Sequence, residues 1–395
     1  MKENPASDGP RNSRPVLMMS MLIVAVFFSM ASRAIFSPLM PALQNELGVT
    51  LSVAGTLFLL LSISYAAAML FSGFLAARIG HGKTIVVVLA CIALGLLVSA
   101  VAPNVIVLAV GMIIIGAGAG VYPPSGIVMI NTKISLHRRS TAFAFHEIGP
   151  NLALLFSPLM VLLMEPWFGW RGVLLWMTLV SGLAAVAFWR WGTVDSGIGA
   201  TPELSTIRTI LRLRTTWVGM VMFSAALAGL HGVYAILPAY LVTEYSLSPQ
   251  YVNFLLTVSR ITGVLFLLRT GWIIHRFGRR RTIFVVMLFS SFFTALIGFV
   301  QGTWITVVVI AQPALIAVMI PALLSCVADI GEARYQNITY AVIITAGVGI
   351  GAGVAPALLG SSGDLGVGWL GFLVLACYMV AAVVFMRATP GFGQD

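Results

Sequence analysis

Two arginines, Arg33 and Arg260, stand near the middles of long apolar runs. A guanidinium stays charged at any physiological pH and presents a planar fork of donors that matches a carboxylate or a phosphate. At the centre of a bilayer such a charge costs about 2.5–3.5 kcal/mol even on the lenient insertion scale, so both side chains must face protein or water. Two roles fit them: gripping an anionic solute, or pairing with a buried acid or with helix-end carbonyls. Acids for the second role are scarce. Glu147 is the one carboxylate well inside an apolar run, and a single carboxylate cannot neutralise two arginines. The pattern points to an anion site with one arm from each half of the chain. Arg269 lies nearer the end of its run and is expected to reach back to the membrane surface.

Other polar side chains share the apolar runs. Glu147 and its neighbour His146 are candidates for proton coupling, since a desolvated carboxylate near a cation can load and release a proton; a structural salt bridge with an arginine is the alternative. His231 is a candidate both for proton transfer and for solute contact, against a simple packing histidine. Tyr65, Tyr122, Asn151, Tyr234 and Gln312 could hydrogen-bond a solute, or could glue helices together. Tyr122 stands out because it precedes Pro123-Pro124, and paired prolines free backbone carbonyls where a helix lines a cavity. Gly347, Gly349, Gly351 and Gly353 alternate within a later run, which suits close helix packing or a hinge. No metal site and no catalytic constellation is apparent. Cys91, Cys326 and Cys377 each lie in an apolar run without metal-ligand spacing and read as small hydrophobes.

The elements that must position these groups are membrane helices. Of 395 residues, 59% are hydrophobic and only 9% charged, far below the roughly one quarter of a soluble domain. The net charge of +10 does not gather on a polar face as a nucleic-acid binder requires, so no nucleic-acid partner is expected. Reading for runs of about 20 apolar residues gives spans at 16–43, 51–77, 84–102, 106–131, 141–164 and 171–191, then 216–242, 250–274, 282–301, 303–328, 337–360 and 367–387. The expected organisation is an N-terminal tail (1–15), a first six-helix bundle (16–191), a linker (192–215), a second six-helix bundle (216–387) and a C-terminal tail (388–395). With the N-terminus cytoplasmic, all 22 lysines and arginines except Arg33, Arg171, Arg260 and Arg269 fall on the cytoplasmic side. That asymmetry predicts twelve spans with both termini inside, in a plasma or bacterial inner membrane.

The two halves repeat. GFLAARIGHGK, Gly73 to Lys83, follows the second span, and GWIIHRFGRRR, Gly271 to Arg281, follows the eighth, an offset of 198. Pro41 and Pro238 repeat at an offset of 197. Here the sequence resembles the major facilitator superfamily over essentially its whole length. The resemblance rests on the family loop motif G-x-L-x-D-R-x-G-R-K, met by Gly73, Leu75, Arg78 and Gly80 with Lys83 one place late, and by Gly271, Arg276, Gly278 and Arg279 in the second copy. Gly116, Gly118 and Gly120, with Arg138 and Arg139 beyond them, and Trp170-Arg171 also look familial. The motif's acid is replaced by Ala77 and His275. The G-x-x-x-G-P-x-x-G-G signature of drug/proton antiporters survives only as Gly149-Pro150.

The resemblance implies an all-α membrane protein, twelve helices in two bundles related by a pseudo-two-fold axis, that moves a solute by alternating access. With the arginines it suggests a small organic anion, carried by proton symport or anion exchange. The alternative is efflux of a drug-like or neutral solute, for which mid-span acids and an intact fifth-span signature would be expected. No nucleotide-binding loop and no convergent nucleophile and base appear, so no cofactor and no enzymatic activity are expected. Asp329 and Glu332, at the inner end of the tenth span and in reach of the basic loops, fit either a clasp that stabilises one conformation or a solvated face. The partners expected are the solute and the lipid, with one chain sufficient for function.

Overall fold

The computed structural model describes residues 15–135, 138–192, 204–331, 336–389 and 391–393, and among these the ordered elements are helices. They are α1 (Val16–Leu47), α2 (Leu51–Ile79), α3 (His81–Ala100), α4 (Val105–Lys133), α5 (139–168), α6 (170–192), α7 (Arg214–Tyr245), α8 (Pro249–Phe277), α9 (Arg279–Ile297), α10 (Trp304–Val327), α11 (Ile338–Asp364) and α12 (Gly368–Arg387). The spans α5 and α6 run on as one helical stretch that breaks at Gly169, whose φ of 63° and ψ of 174° reverse the chain. Part of the expected linker, with the candidate clasp residue Glu332, lies outside the described residues; Leu204–Leu211 of the linker is a short helix.

Each crossing helix is apolar around much of its circumference, so burial is set by which residues are small enough to let backbones approach. In α4, Gly116 and Gly120 press on α2, where an added Cβ would collide with the carbonyls of Leu61 and Tyr65; Gly118 presses on Cys91 of α3. The ladder noted in the sequence is thus a packing surface. The two loop-motif copies turn at Gly80 and Gly278, whose φ, ψ values of 79°, 156° and 78°, 153° are nearly equal and lie where only glycine is comfortable. The repeat is therefore a repeat of backbone geometry as well as of sequence. The end of the molecule carrying these loops is called here the basic end, and the opposite one the far end.

Between the bundles, α2 packs along α11, α1 on α7, and α5–α6 on α8. The hydrogen bonds across this seam, among the described residues, fall from mid-membrane to the far end. At the far end both carboxylate oxygens of Asp364, closing α11, accept from the first N–H groups of α2, Leu51 at 3.0 Å and Ser52 at 2.9 Å. Toward mid-membrane, Ser62 of α2 donates to the Ala352 carbonyl of α11 at 2.9 Å. Asn253 of α8 donates to the Pro38 carbonyl of α1 at 3.4 Å.

Candidate functional site

Three helices are broken where the bundles meet, and each carries a proline shortly after its break. A proline has no N–H and clashes with the carbonyl four residues back. In α1, Pro38 leaves the Ala34 carbonyl without its usual donor, and the helix divides at Ile35 into Pro15–Ala34 and Phe36–Leu47. In α7, Pro238 releases the Tyr234 carbonyl, and a wide π-turn occupies Ala228–Gly232 just before it. In α11, Pro356 releases the Ala352 carbonyl at the end of a longer π-turn, Val348–Val354. Serines of the other bundle occupy both released acceptors: Ser37 Oγ donates to Tyr234 O at 2.5 Å, and Ser62 Oγ to Ala352 O. Ser37 and Tyr234 are themselves 197 apart. They are repeat-equivalent positions that meet at the pseudo-two-fold axis.

One turn from Ser37, Arg33 lies with its guanidinium carbon 4.3 Å from the centroid of the Tyr65 ring of α2. On the other bundle, Arg260 of α8 lies 4.2 Å from the Tyr234 ring of α7. Each cation therefore rests on its own aromatic face, an arrangement that gains strength as water is excluded. Arg33 is half-buried and already donates Nε–H to the Ser29 carbonyl at 2.9 Å and Nη2–H to Met30 Sδ at 3.2 Å. Arg260 is 6% exposed, yet its Nε and Nη2 have no partner, and neither does the buried Tyr234 hydroxyl. His231 sits in the α7 π-turn, half-buried, within electrostatic range of both guanidinium groups. Among the described residues no carboxylate faces either arginine; their titratable neighbours are Tyr65, Tyr234 and His231.

These five side chains, Arg33, Tyr65, His231, Tyr234 and Arg260, form the cluster. The structure places other candidates elsewhere. Tyr122, expected to line a cavity beside its prolines, is 1% exposed in the first bundle. Its hydroxyl donates to the Leu22 carbonyl at 2.9 Å and lies 2.8 Å from His146 Nε2, with the rings stacked. Leu22 is eleven residues before Arg33, about 16 Å nearer the basic end along the helix. Pro123 and Pro124 lie within an unbroken α4, so they do not open it. Gln312 donates to the Gly229 carbonyl at 2.8 Å and to Thr294 Oγ1 at 3.2 Å, which fixes the π-turn carrying His231 from behind. Asn151 caps the Glu147 carbonyl one turn back at 2.8 Å. Glu147 is 64% exposed at a break in α5, with His146 Nδ1 3.7 Å from its carboxylate.

Residues of the second loop-motif copy make contacts within their own bundle. Arg279 binds Asp329 at 2.5 Å and the Ser325 carbonyl at 3.0 Å, which ties α9 to α10 inside the second bundle. This salt bridge joins Asp329 to a basic loop within one bundle and travels with it. Arg280 similarly reaches the Arg387 carbonyl at the end of α12, at 2.9 Å. Gly73 and Gly271 lie inside helices, and Arg78, Lys83 and Arg276 are exposed at the basic end. At the far end Arg171 pairs with Glu46, which also accepts from Trp170 at 2.6 Å, and stacks on that indole. Sequence reasoning passed over Ser37, Ser62 and Asp364. The signal for the two serines was present: each faces a carbonyl four residues before a proline in the opposite half.

A profile of the Major Facilitator Superfamily matches residues 22–356 and 219–392. A uridine/deoxyuridine transporter of Lactococcus lactis is 27% identical over 224 residues, 54% of this chain and 42% of the relative. An uncharacterized transporter of the same superfamily from Bacillus subtilis, YhcA, is 25% identical over 161 residues, 40% of this chain and 30% of the relative. The chain thus spans less than half the length of these curated relatives. Among solved structures, a bacterial homolog of the human lysosomal transporter Spinster matches with a TM-score of 0.74 at 14% identity, covering 96% of both chains. A D-xylose–proton symporter matches at 0.75 and 14%, covering 96% of this chain and 99% of that one. The nucleoside transporter NupG matches at 0.73 and 13%, covering 94% and 98%. Twelve crossings in two repeated bundles, a loop motif present twice and a family match running through both halves make this chain a member of the major facilitator superfamily, whose members are transporters and not enzymes.

Proposed function

We propose that the chain carries a small organic anion by alternating access, with the basic end cytoplasmic and the far end facing outward. The observation that carries this reading is a pair of intramembrane cations, one buried and one half-buried: Arg260 keeps two donor nitrogens unpartnered while 6% exposed, and among the described residues no carboxylate neutralises it or Arg33. A buried charge in that condition is costly unless a ligand supplies the missing partner. Aromatic platforms hold the guanidinium planes in place, so an arriving anion meets donors already oriented. The seam hydrogen bonds toward the far end suit a carrier closed to the outside. Each bundle, 16–191 and 216–387, moves in this reading as one body. The drive is proton symport or anion exchange, with Glu147 and His231 as the candidate proton carriers.

The test is thermal stability of the purified protein against carboxylates, phosphates, amino acids, nucleosides and cationic drugs, repeated with Arg33→Ala and Arg260→Ala. Acids should raise the melting temperature of the wild type and lose that effect in both variants. Stabilisation by uridine or by cations, untouched by either substitution, overturns the anion reading in favour of a neutral or drug-like cargo. In liposomes, uptake should depend on a pH gradient if protons take part; unchanged dependence in Glu147→Gln and His231→Ala removes both residues as carriers.

A further inference from the structure

Resting on the anion reading, charge balance and donor inventory at the two arginines say more about the cargo than its sign. The cluster holds two permanent positive charges and, among the described residues, no carboxylate to offset either. A monoanion would leave one cation uncompensated in a site shielded from water, where each unit of charge acts through an effective dielectric constant of about 20. The arginines also differ in what they offer. Arg33 has committed its side edge, Nε–H and one N–H of Nη2, to Ser29 and Met30, which leaves the end of the guanidinium, with both N–H groups of Nη1 and the second of Nη2. Arg260 has committed neither Nε nor Nη2, the edge of the fork that accepts both oxygens of a carboxylate side by side. The Arg260 guanidinium lies over the Tyr234 ring, which holds its plane in place.

We propose that the cargo is a dianion held unequally, a carboxylate seated bidentate in the open fork of Arg260 and a second anionic group at the end of the Arg33 guanidinium. The second group is a carboxylate or a phosphate, either of which the end of the Arg33 guanidinium can hold. The asymmetry has a consequence for substitution. Lysine supplies a point charge but no fork, so it substitutes for Arg33 far better than for Arg260.

The experiment measures binding to purified protein by calorimetry with three charge series at neutral pH. One runs from succinate through monomethyl succinate to dimethyl succinate; a second sets oxalate, malonate and glutarate against their half-esters; a third sets the phosphate monomethyl ester of 3-phosphoglycerate, a dianion at neutral pH, against the same compound with its carboxyl group also methylated. At least one dianion should bind the wild type more than about tenfold tighter than its monoanionic partner. A tight phosphoglycerate with weak dicarboxylates assigns the second group as phosphate, and the reverse assigns it as carboxylate. Arg33→Lys should keep most of the affinity for the best dianion, and Arg260→Lys should lose more than about tenfold. Monoanionic esters that bind the wild type as tightly as their parent dianions overturn the dianion proposal and leave the anion reading intact. Equal losses in the two lysine variants overturn the unequal seating. Failure of every acid to bind, with uridine or a cationic drug binding instead, brings down the anion reading itself. The wild-type comparison decides the charge question even where a variant does not fold.

Discussion

At the scale of single residues, the arginines were found because an ionised group in an apolar run is too costly to be incidental. Their tyrosine platforms, Tyr65 and Tyr234, were visible only as polar side chains near mid-span; which cation each serves depends on helix neighbours that no spacing reveals. Tyr122 shows the opposite failure. Its paired prolines pointed to a cavity, but a proline says that a carbonyl is released and not which way a neighbouring side chain turns. Hydrogen-bonded to Leu22 and stacked on His146, Tyr122 belongs to the first bundle's interior. Tyr122→Phe should lower unfolding stability by about 1–2 kcal/mol and leave stabilisation by the anion unchanged. Tyr234→Leu, which removes the ring beneath Arg260, should weaken that stabilisation several-fold. Paired melting curves with and without the anion separate the two outcomes, and equal behaviour of the variants counts against this division of roles.

Among the elements, the twelve spans could be read from composition and from the distribution of basic residues. One boundary shows the limit: α5 and α6 run together through a turn so tight that only the backbone angles of Gly169 part them. What the sequence hid was the use made of its prolines. Pro238 and Pro356 each strip a carbonyl of its helical donor, and the replacement donors, Ser37 and Ser62, come from the other half of the chain. The breaks thus serve as docking points between bundles. Ser62→Ala leaves the Ala352 carbonyl unpaired at the seam and should shift the population away from far-end closure. Spin-label distances between far-end sites on α2 and α11 should then broaden toward longer values. Unchanged distances would mean that side-chain packing alone sets the closure.

For the whole molecule, duplication explains the pseudo-symmetric frame, and the site marks where the halves diverge. Adding the repeat offset of 197 or 198 to Arg33 gives Leu230 or His231, and subtracting 198 from Arg260 gives Ser62. The two arms of the cluster are therefore not copies of one another, which suits a cargo with two different ends. Closure at the far end rests on bare backbone: a Cβ at Gly55 would run into the Pro356 carbonyl, and one at Gly360 into that of Leu51. Gly360→Val should hold the bundles apart at that end, raising alkylation of a cysteine introduced at Ser361 and slowing net transport without abolishing anion binding. Alkylation equal to that of the parent would show that the seam yields.

The contact of Asp364 with the start of α2 bears on how this equilibrium responds to its surroundings. Because that carboxylate touches peptide N–H groups and not a basic side chain, no exchange of lysine for arginine can tune it, and the strength of the fastening is fixed by the helix terminus itself. Shortening the acid to alanine leaves two amides that water can serve at once. A carrier altered in that way would idle with its outer mouth ajar, a convenient form against which to raise binders that recognise only that posture.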